Sequence, residues 1–246
     1  MKTDKDLQFL QNCDNEDLRS LCDILVFNND GKVRFNESLT RLRVYNTCYP
    51  DNMQGMWREL ALELQRYGGN SILNFICHGV GPSYKSIVYE VCKRIKVSGI
   101  SIQDTTEELE QKLLVTISSK AIGQLTEAQA RAIMLEYDIQ GFAFTKKGLF
   151  AALLAFQVVN RHLFVAVINS VMKTVYKALM GSGILAIGIG AFAARGIGLC
   201  MGAVGWLVFA GWTAWNLMGP SYSVVVPAVI QIAYMRTKMF TDLSLR

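Results

Sequence analysis

Through the first 138 positions apolar residues recur at helical spacing. Leu18, Leu21, Cys22, Leu25 and Val26 fall at i, i+3, i+4, i+7 and i+8 behind Asp14, a residue suited to an N-cap. Asn28-Asn29-Asp30-Gly31 reads as a turn, and a second short helix is expected over about Asn36 to Tyr45. Pro50-Asp51 breaks the chain. Met53, Met56, Trp57, Leu60, Leu64 and Tyr67 then line one helical face, with Gly68-Gly69-Asn70 as its expected stop. Ser83 is placed to cap a helix whose apolar face is Tyr84, Ile87, Val88, Val91 and Ile95, and Lys93, Arg94 and Lys96 in its last turn complement the helix dipole. After a linker from Gly99 to Thr105, a helix runs through Leu109, Leu113 and Ile117. Thr126 and Gln129 form a capping box for the next, with Ile133, Met134 and Tyr137 facing inward. Each stripe needs a partner, and a helical bundle across 1–138 supplies them.

The pattern then changes. Leu149–Val171 is apolar but carries Gln157, Asn160, Arg161 and His162 in its middle, which favours an interfacial or bundle helix over a spanning one. Ala178–Ala194 and Gly196–Met218 follow as two uncharged runs, the second of 23 residues, with Arg195 between them. That length suffices to cross a hydrocarbon core of ~30 Å. Ser221–Tyr234 is apolar but short and holds Pro227, so a third crossing is not expected. The predicted fold is all-α, an N-terminal helical bundle followed by a Gly-rich hydrophobic helical hairpin. Its divisions are a small N-terminal module (1–45), a central helical domain (46–138) and a basic, apolar, membrane-associating region (139–246).

Charge sharpens this division. Residues 1–138 carry a net charge of −3 and residues 139–246 a net of +8, with no Asp or Glu between Ile139 and Thr241. The cations flank greasy segments and are not interleaved with stacking aromatics, so an anionic membrane is expected as partner and nucleic acid is not. The N-terminus has no apolar core of signal-peptide type, so synthesis in the cytosol is expected. Six cysteines (Cys13, Cys22, Cys48, Cys77, Cys92, Cys200) form no C-x-x-C pair and read as small buried hydrophobes.

Ala186, Gly190, Ala194, Gly198 and Gly202 fall four apart. On a helix they leave a groove almost without side chains, the means by which helices associate in lipid, so self-association into a homo-oligomer is expected through these five. Trp212 and Trp215 suit a headgroup-level anchor. Lys173 and Lys177 before the hairpin, and Arg236 and Lys238 after it, fit two basic flanks on one side of a membrane.

Chemical motifs fall short. Asn28, Asp30, Gly31, Val33 and Glu37 match later positions of a calcium loop, but Val26 stands where its first ligand belongs. Gly79-Val80-Gly81 and Lys85-Ser86 lack phosphate-loop spacing. Cys77-His78 is the only adjacent thiol–imidazole pair, and with His162 the chain has two histidines in all. No catalytic residue, cofactor or metal site is assigned, and a non-enzymatic protein is expected.

Glu63-Leu64-Gln65-Arg66-Tyr67-Gly68-Gly69-Asn70-Ser71-Ile72 resembles the central signature of the uncharacterised bacterial YaaW family. The stretches Gly79 to Tyr84, Val91-Cys92-Lys93-Arg94, Tyr222, Pro227 to Ala233 and Arg236 continue the resemblance. Asp6-Leu7-Gln8-Phe9-Leu10, Asp30-Gly31-Lys32 and Arg34 resemble the small N-terminal module of unknown function found in such proteins. The resemblance implies a bacterial protein made in the cytosol, with a middle part linked to the ubiquinol–cytochrome c chaperone domain. It implies no activity.

The leading expectation is a non-enzymatic protein associated with or integral in the inner membrane. Its hairpin would insert and self-associate, as a pore-forming or membrane-perturbing effector or as an anchored scaffold, while residues 1–138 engage a protein partner. The rival is a soluble, chaperone-like assembly factor that shelters apolar partner segments.

Overall fold

Leu18, Leu21, Cys22, Leu25 and Val26 form the buried face of α1 (Asn15–Val26), with Asp14 at its N-cap. The computed structural model describes residues 3–28, 31–71, 82–181 and 222–243. A 3-10 helix, Lys5–Asn12, precedes α1, and Asp4 caps it by accepting from the Asp6 amide. After α1 a single antiparallel bridge pairs Phe27 with Val33.

The helix expected over Asn36–Tyr45 is instead a 3-10 turn, Leu39–Arg41, and a short α2 (Arg43–Cys48). The reason lies in two buried carboxylates. Glu63 accepts from the Ser38 amide at 3.0 Å and its hydroxyl at 2.6 Å, and Glu37 accepts from the Thr40 amide at 2.9 Å. Side chains that take up backbone donors compete with the helical ladder.

Helix α3 (Trp57–Ser71) buries Trp57, Leu60, Leu64 and Tyr67, but it does not stop at Gly68-Gly69. Gly68 serves a close approach: a Cβ there would lie 2.5 Å from Ile87 Cδ1 on α4 (Tyr84–Ile95). Ser83 caps α4 by accepting from the Ser86 amide. Capping boxes start both α5 (Thr106–Gln124), through Thr105 and Glu108, and α6 (Glu127–Glu136), through Thr126 and Gln129. The apolar run Leu149–Val171 divides at Asn160 into α7 (Lys146–Val159) and α8 (Arg161–Gly181).

Gly148, in the first turn of α7, has its amide bonded to the Thr145 hydroxyl at 3.1 Å, and a Cβ there would lie 1.8 Å from the Ala143 carbonyl oxygen. Since backbone cannot rotate aside, Gly148→Ala is expected to destabilise by about 1–3 kcal/mol. Thermal unfolding checks this, and an unchanged midpoint would mean that the 143–147 turn yields.

The last described helix, α9 (Tyr222–Leu243), packs on α1, α3, α4, α5 and α8. It is buried on nearly all sides from Val224 to Met235. A helix apolar all round belongs in a core or a bilayer, and here other helices surround it. The segments 1–45, 46–138 and 139–246 thus contribute to one hydrophobic cluster.

Among the described residues no helix is long and apolar enough to cross a membrane. The inserted, pore-forming hairpin, its transmembrane character and the integral inner-membrane location are corrected on that finding. The apolar, acid-free character that suggested a bilayer is, for α9, the mark of a helix enclosed in protein, and the basic flank meets acids from the first half. Lys238 reaches Asp14 at 2.7 Å and Asp17 at 2.8 Å. Beyond Gly181, the runs Ala178–Ala194 and Gly196–Met218 lie outside the described residues.

Candidate functional site

Two features stand out, one buried and one exposed. The buried one is built on α5, where Glu110 precedes Leu113 and Leu114 on an apolar face. Glu110 is 2% exposed and accepts from Arg236 Nε at 2.6 Å and from the Tyr84 hydroxyl at 2.7 Å. Arg236, 6% exposed on α9, also donates to the Asp6 carbonyl, and its guanidinium lies 4.1 Å from the centre of the Phe9 ring. The Tyr84 amide donates to Asp4 at 2.8 Å. One ion pair therefore joins the N-terminal 3-10 helix, α4, α5 and α9.

Burial pushes the Glu110 carboxyl up to about 7, against the pull of Arg236 and Tyr84. Burial opposes the charge of Arg236, but Glu110 beside it prevails and holds its pKa above the ordinary value. Beside the pair lies a cavity of about 190 Å³ lined by Glu107, Glu110, Gln111, Arg161, Arg236 and Thr237. The cluster's groups are spent on one another, and it reads as a tie between elements.

Lys238 is likewise held above its ordinary value: burial works against its charge, and Asp14 and Asp17 outweigh it. Asp17 is raised by burial, with Lys238 acting in the opposite sense. Burial pushes the Cys13 and Cys92 thiols up to about 12 and Cys22 well above its ordinary value, so these thiols are poor nucleophiles at neutral pH. Among the described residues no group of three or more His, Cys, Asp and Glu could hold a metal ion.

The exposed feature is the outer face of α7. Gly148, Leu149, Ala152 and Leu153 are buried, and the helix packs on α5, α6 and α8. Its opposite side is also apolar. Leu154 is 40% exposed and Val158 82%, with Ala151 exposed one turn earlier, while Val159, 76% exposed, ends the helix above the buried side. A helix with two apolar sides is normally covered on both.

Of the residues singled out in the sequence, Arg236 and Lys238 fall on α9 in the ion pairs above, and Lys173 and Lys177 fall on α8. Ala186, Gly190, Ala194, Gly198, Gly202, Trp212 and Trp215 lie outside the described residues. Sequence reasoning missed Glu110, although a carboxylate three and four positions before Leu113 and Leu114 was a usable signal. It also left the two-sided apolarity of α7 unexplained.

The family of domain of unknown function DUF3944 matches residues 1–35. A UPF0174 protein of Helicobacter pylori (strain J99) is 33% identical over 242 residues, covering 96% of this chain and 92% of the relative. The UPF0174 protein YaaW of Escherichia coli O157:H7 is 30% identical over 239 residues, covering 95% and 94%, and that of strain K12 is 29% identical over the same shares. No solved structure matches the chain. The resemblance seen around Glu63–Ile72 thus extends along nearly the whole of both partners in each comparison, and the chain belongs to the UPF0174 family of bacterial proteins.

Proposed function

We propose that this protein is a non-catalytic, chaperone-like assembly factor that shelters an apolar segment of a partner protein on the outer face of α7. The observation that carries the reading is the bare apolar side of a helix whose other side is fixed in the bundle. Fully burying an exposed Val or Leu side chain contributes roughly 1.5–3 kcal/mol at most, so Val158 with the half-exposed Leu154 supplies the apolar centre of a weak, transient contact. The ion pairs of α9 support the reading indirectly, because they hold together the frame on which α7 rests.

The test is suppression of light scattering by heat-denatured citrate synthase. The protein is expected to suppress it, and Leu154→Glu with Val158→Glu to remove most of that effect. Val158 is 82% exposed, so its change should move folding stability by no more than about 0.5 kcal/mol, and the change at Leu154, 40% exposed, should cost about 1 kcal/mol. If the double variant retains its native circular dichroism and suppresses scattering as well as the parent, the α7 face is not the holding surface.

A further inference from the structure

The tie between Arg236 and Glu110 leaves one nitrogen over. Arg236 Nε donates to Glu110 and Nη2 to the Asp6 carbonyl. Nη1 stands 3.7 Å from a Glu107 carboxylate oxygen, beyond hydrogen-bonding reach. A guanidinium carries five donors in a fixed fork, and two of them sit on Nη1. Arg236 is 6% exposed, and it lines the cavity of about 190 Å³ together with Glu107. That cavity is where the Nη1 donors can meet a ligand.

The charges of the wall decide what fits. It holds two cations, Arg236 and Arg161, and two carboxylates, Glu110 and Glu107, with the Gln111 amide and the Thr237 hydroxyl beside them. Arg161 makes a contact of its own, and Glu110 is taken up by Arg236 and Tyr84. The argument therefore rests on Nη1 and Glu107.

A simple anion seated on Nη1 would meet the Glu107 carboxylate. A simple cation seated on Glu107 would meet the guanidinium. Like charges at such a separation repel, so neither is favoured. A zwitterion avoids both clashes. In an α-amino acid the carboxylate and the ammonium group are attached to one carbon, which suits a donor and an acceptor 3.7 Å apart. Both contacts are then charge-assisted hydrogen bonds. The volume lies below the usual range of ligand pockets and restricts the occupant to a small molecule. Gln111 and Thr237 offer its side chain polar partners.

We infer that the cavity between α5, α8 and α9 binds a free α-amino acid with a small polar side chain. Arg236 Nη1 takes its carboxylate and Glu107 its ammonium group. The site is separate from the outer face of α7 and does not depend on the sheltering role.

Calorimetric titration of the full chain with L-serine and L-asparagine tests this. At least one is expected to bind saturably, at one site per chain. Analogues without the ammonium group (3-hydroxypropionate, succinamate) or without the carboxylate (ethanolamine, 3-aminopropanamide) are each expected to bind at least ~10-fold more weakly, for the loss of a charged hydrogen bond. Glu107 is 45% exposed, so Glu107→Gln should fold normally. It is expected to weaken the amino acid by ~10-fold and not to weaken the analogue without the ammonium group. Gln111→Trp, which fills the cavity from a half-buried position, is expected to abolish binding.

No binding of either amino acid, or binding that Gln111→Trp leaves intact, would overturn the inference. Equal affinity for the amino acid and its analogue without the ammonium group would overturn it too, as would an amino-acid affinity unmoved by Glu107→Gln. Circular dichroism checks that both variants keep their helices. Should Gln111→Trp lose them, the Glu107→Gln result decides.

Discussion

Glu110→Leu is expected to cost about 3–5 kcal/mol of folding stability, because it leaves the Arg236 guanidinium buried with no adequate counter-charge. Glu107, 3.7 Å from Arg236 Nη1 and 45% exposed, is too distant and too solvated to replace it. Arg236→Met should cost less. The carboxyl left behind can take a proton, since burial already holds it at about 7, whereas a guanidinium cannot neutralise itself. The double change Glu110→Leu with Arg236→Met should recover much of the loss, because a buried ion pair exchanged for apolar side chains of similar volume is often neutral. Urea unfolding of the four proteins measures this cycle. Equal costs for the two single changes would show that Glu110 is held ionised.

The same carboxyl sets a pH dependence. Its folded value of about 7 lies above the ordinary value of 4.5, so the folded state binds more protons between these values. Its contribution to stability is present below pH 4.5 and is lost as pH rises towards 7. Burial raises the Asp17 carboxyl as well, with Lys238 acting in the opposite sense. The comparison is therefore between the parent and Glu110→Gln, and the variant should show the shallower decline over that window. Parallel curves would remove Glu110 as the cause.

The second large effect is expected from Phe164→Ala, at about 3–5 kcal/mol. Phe164 is 1% exposed and stands in the first turns of α8, the helix that packs on α5, α6, α7 and α9. Removing its ring opens a void where α8 leaves the α7 elbow. For a chain of this size the loss corresponds to a fall of roughly 6–20 °C in Tm. Phe164→Leu, which keeps more of the volume, should cost less.

The sequence alone determined the helices, their inward faces and most of their caps. Leu18 to Val26, Met53 to Tyr67 and Tyr84 to Ile95 are buried where their spacing put them, and Ser83 and Thr126 cap where expected. These features were legible because helix period and cap chemistry act over three or four residues, a range within which the chain carries its own information. The family was legible for a related reason: the stretch from Glu63 to Ile72 is a contiguous string.

Only the tertiary structure decided what surrounds an apolar helix. Short length and Pro227 argued against a crossing by Ser221–Tyr234, and periodicity adds that Val224 to Met235 must leave water, but neither says which helices receive it, because any apolar surroundings satisfy the same free energy of transfer. The answer lay in partners far away in sequence: Glu110 for Arg236, Asp14 and Asp17 for Lys238, and the Asp17 carbonyl for Gln231. The reading of Gly68 as a stop failed in the same way, since its reason is Ile87 on another helix. Which side of α7 stays bare is likewise a property of the assembled bundle, because covering one face of a two-sided helix depends on where its neighbours lie.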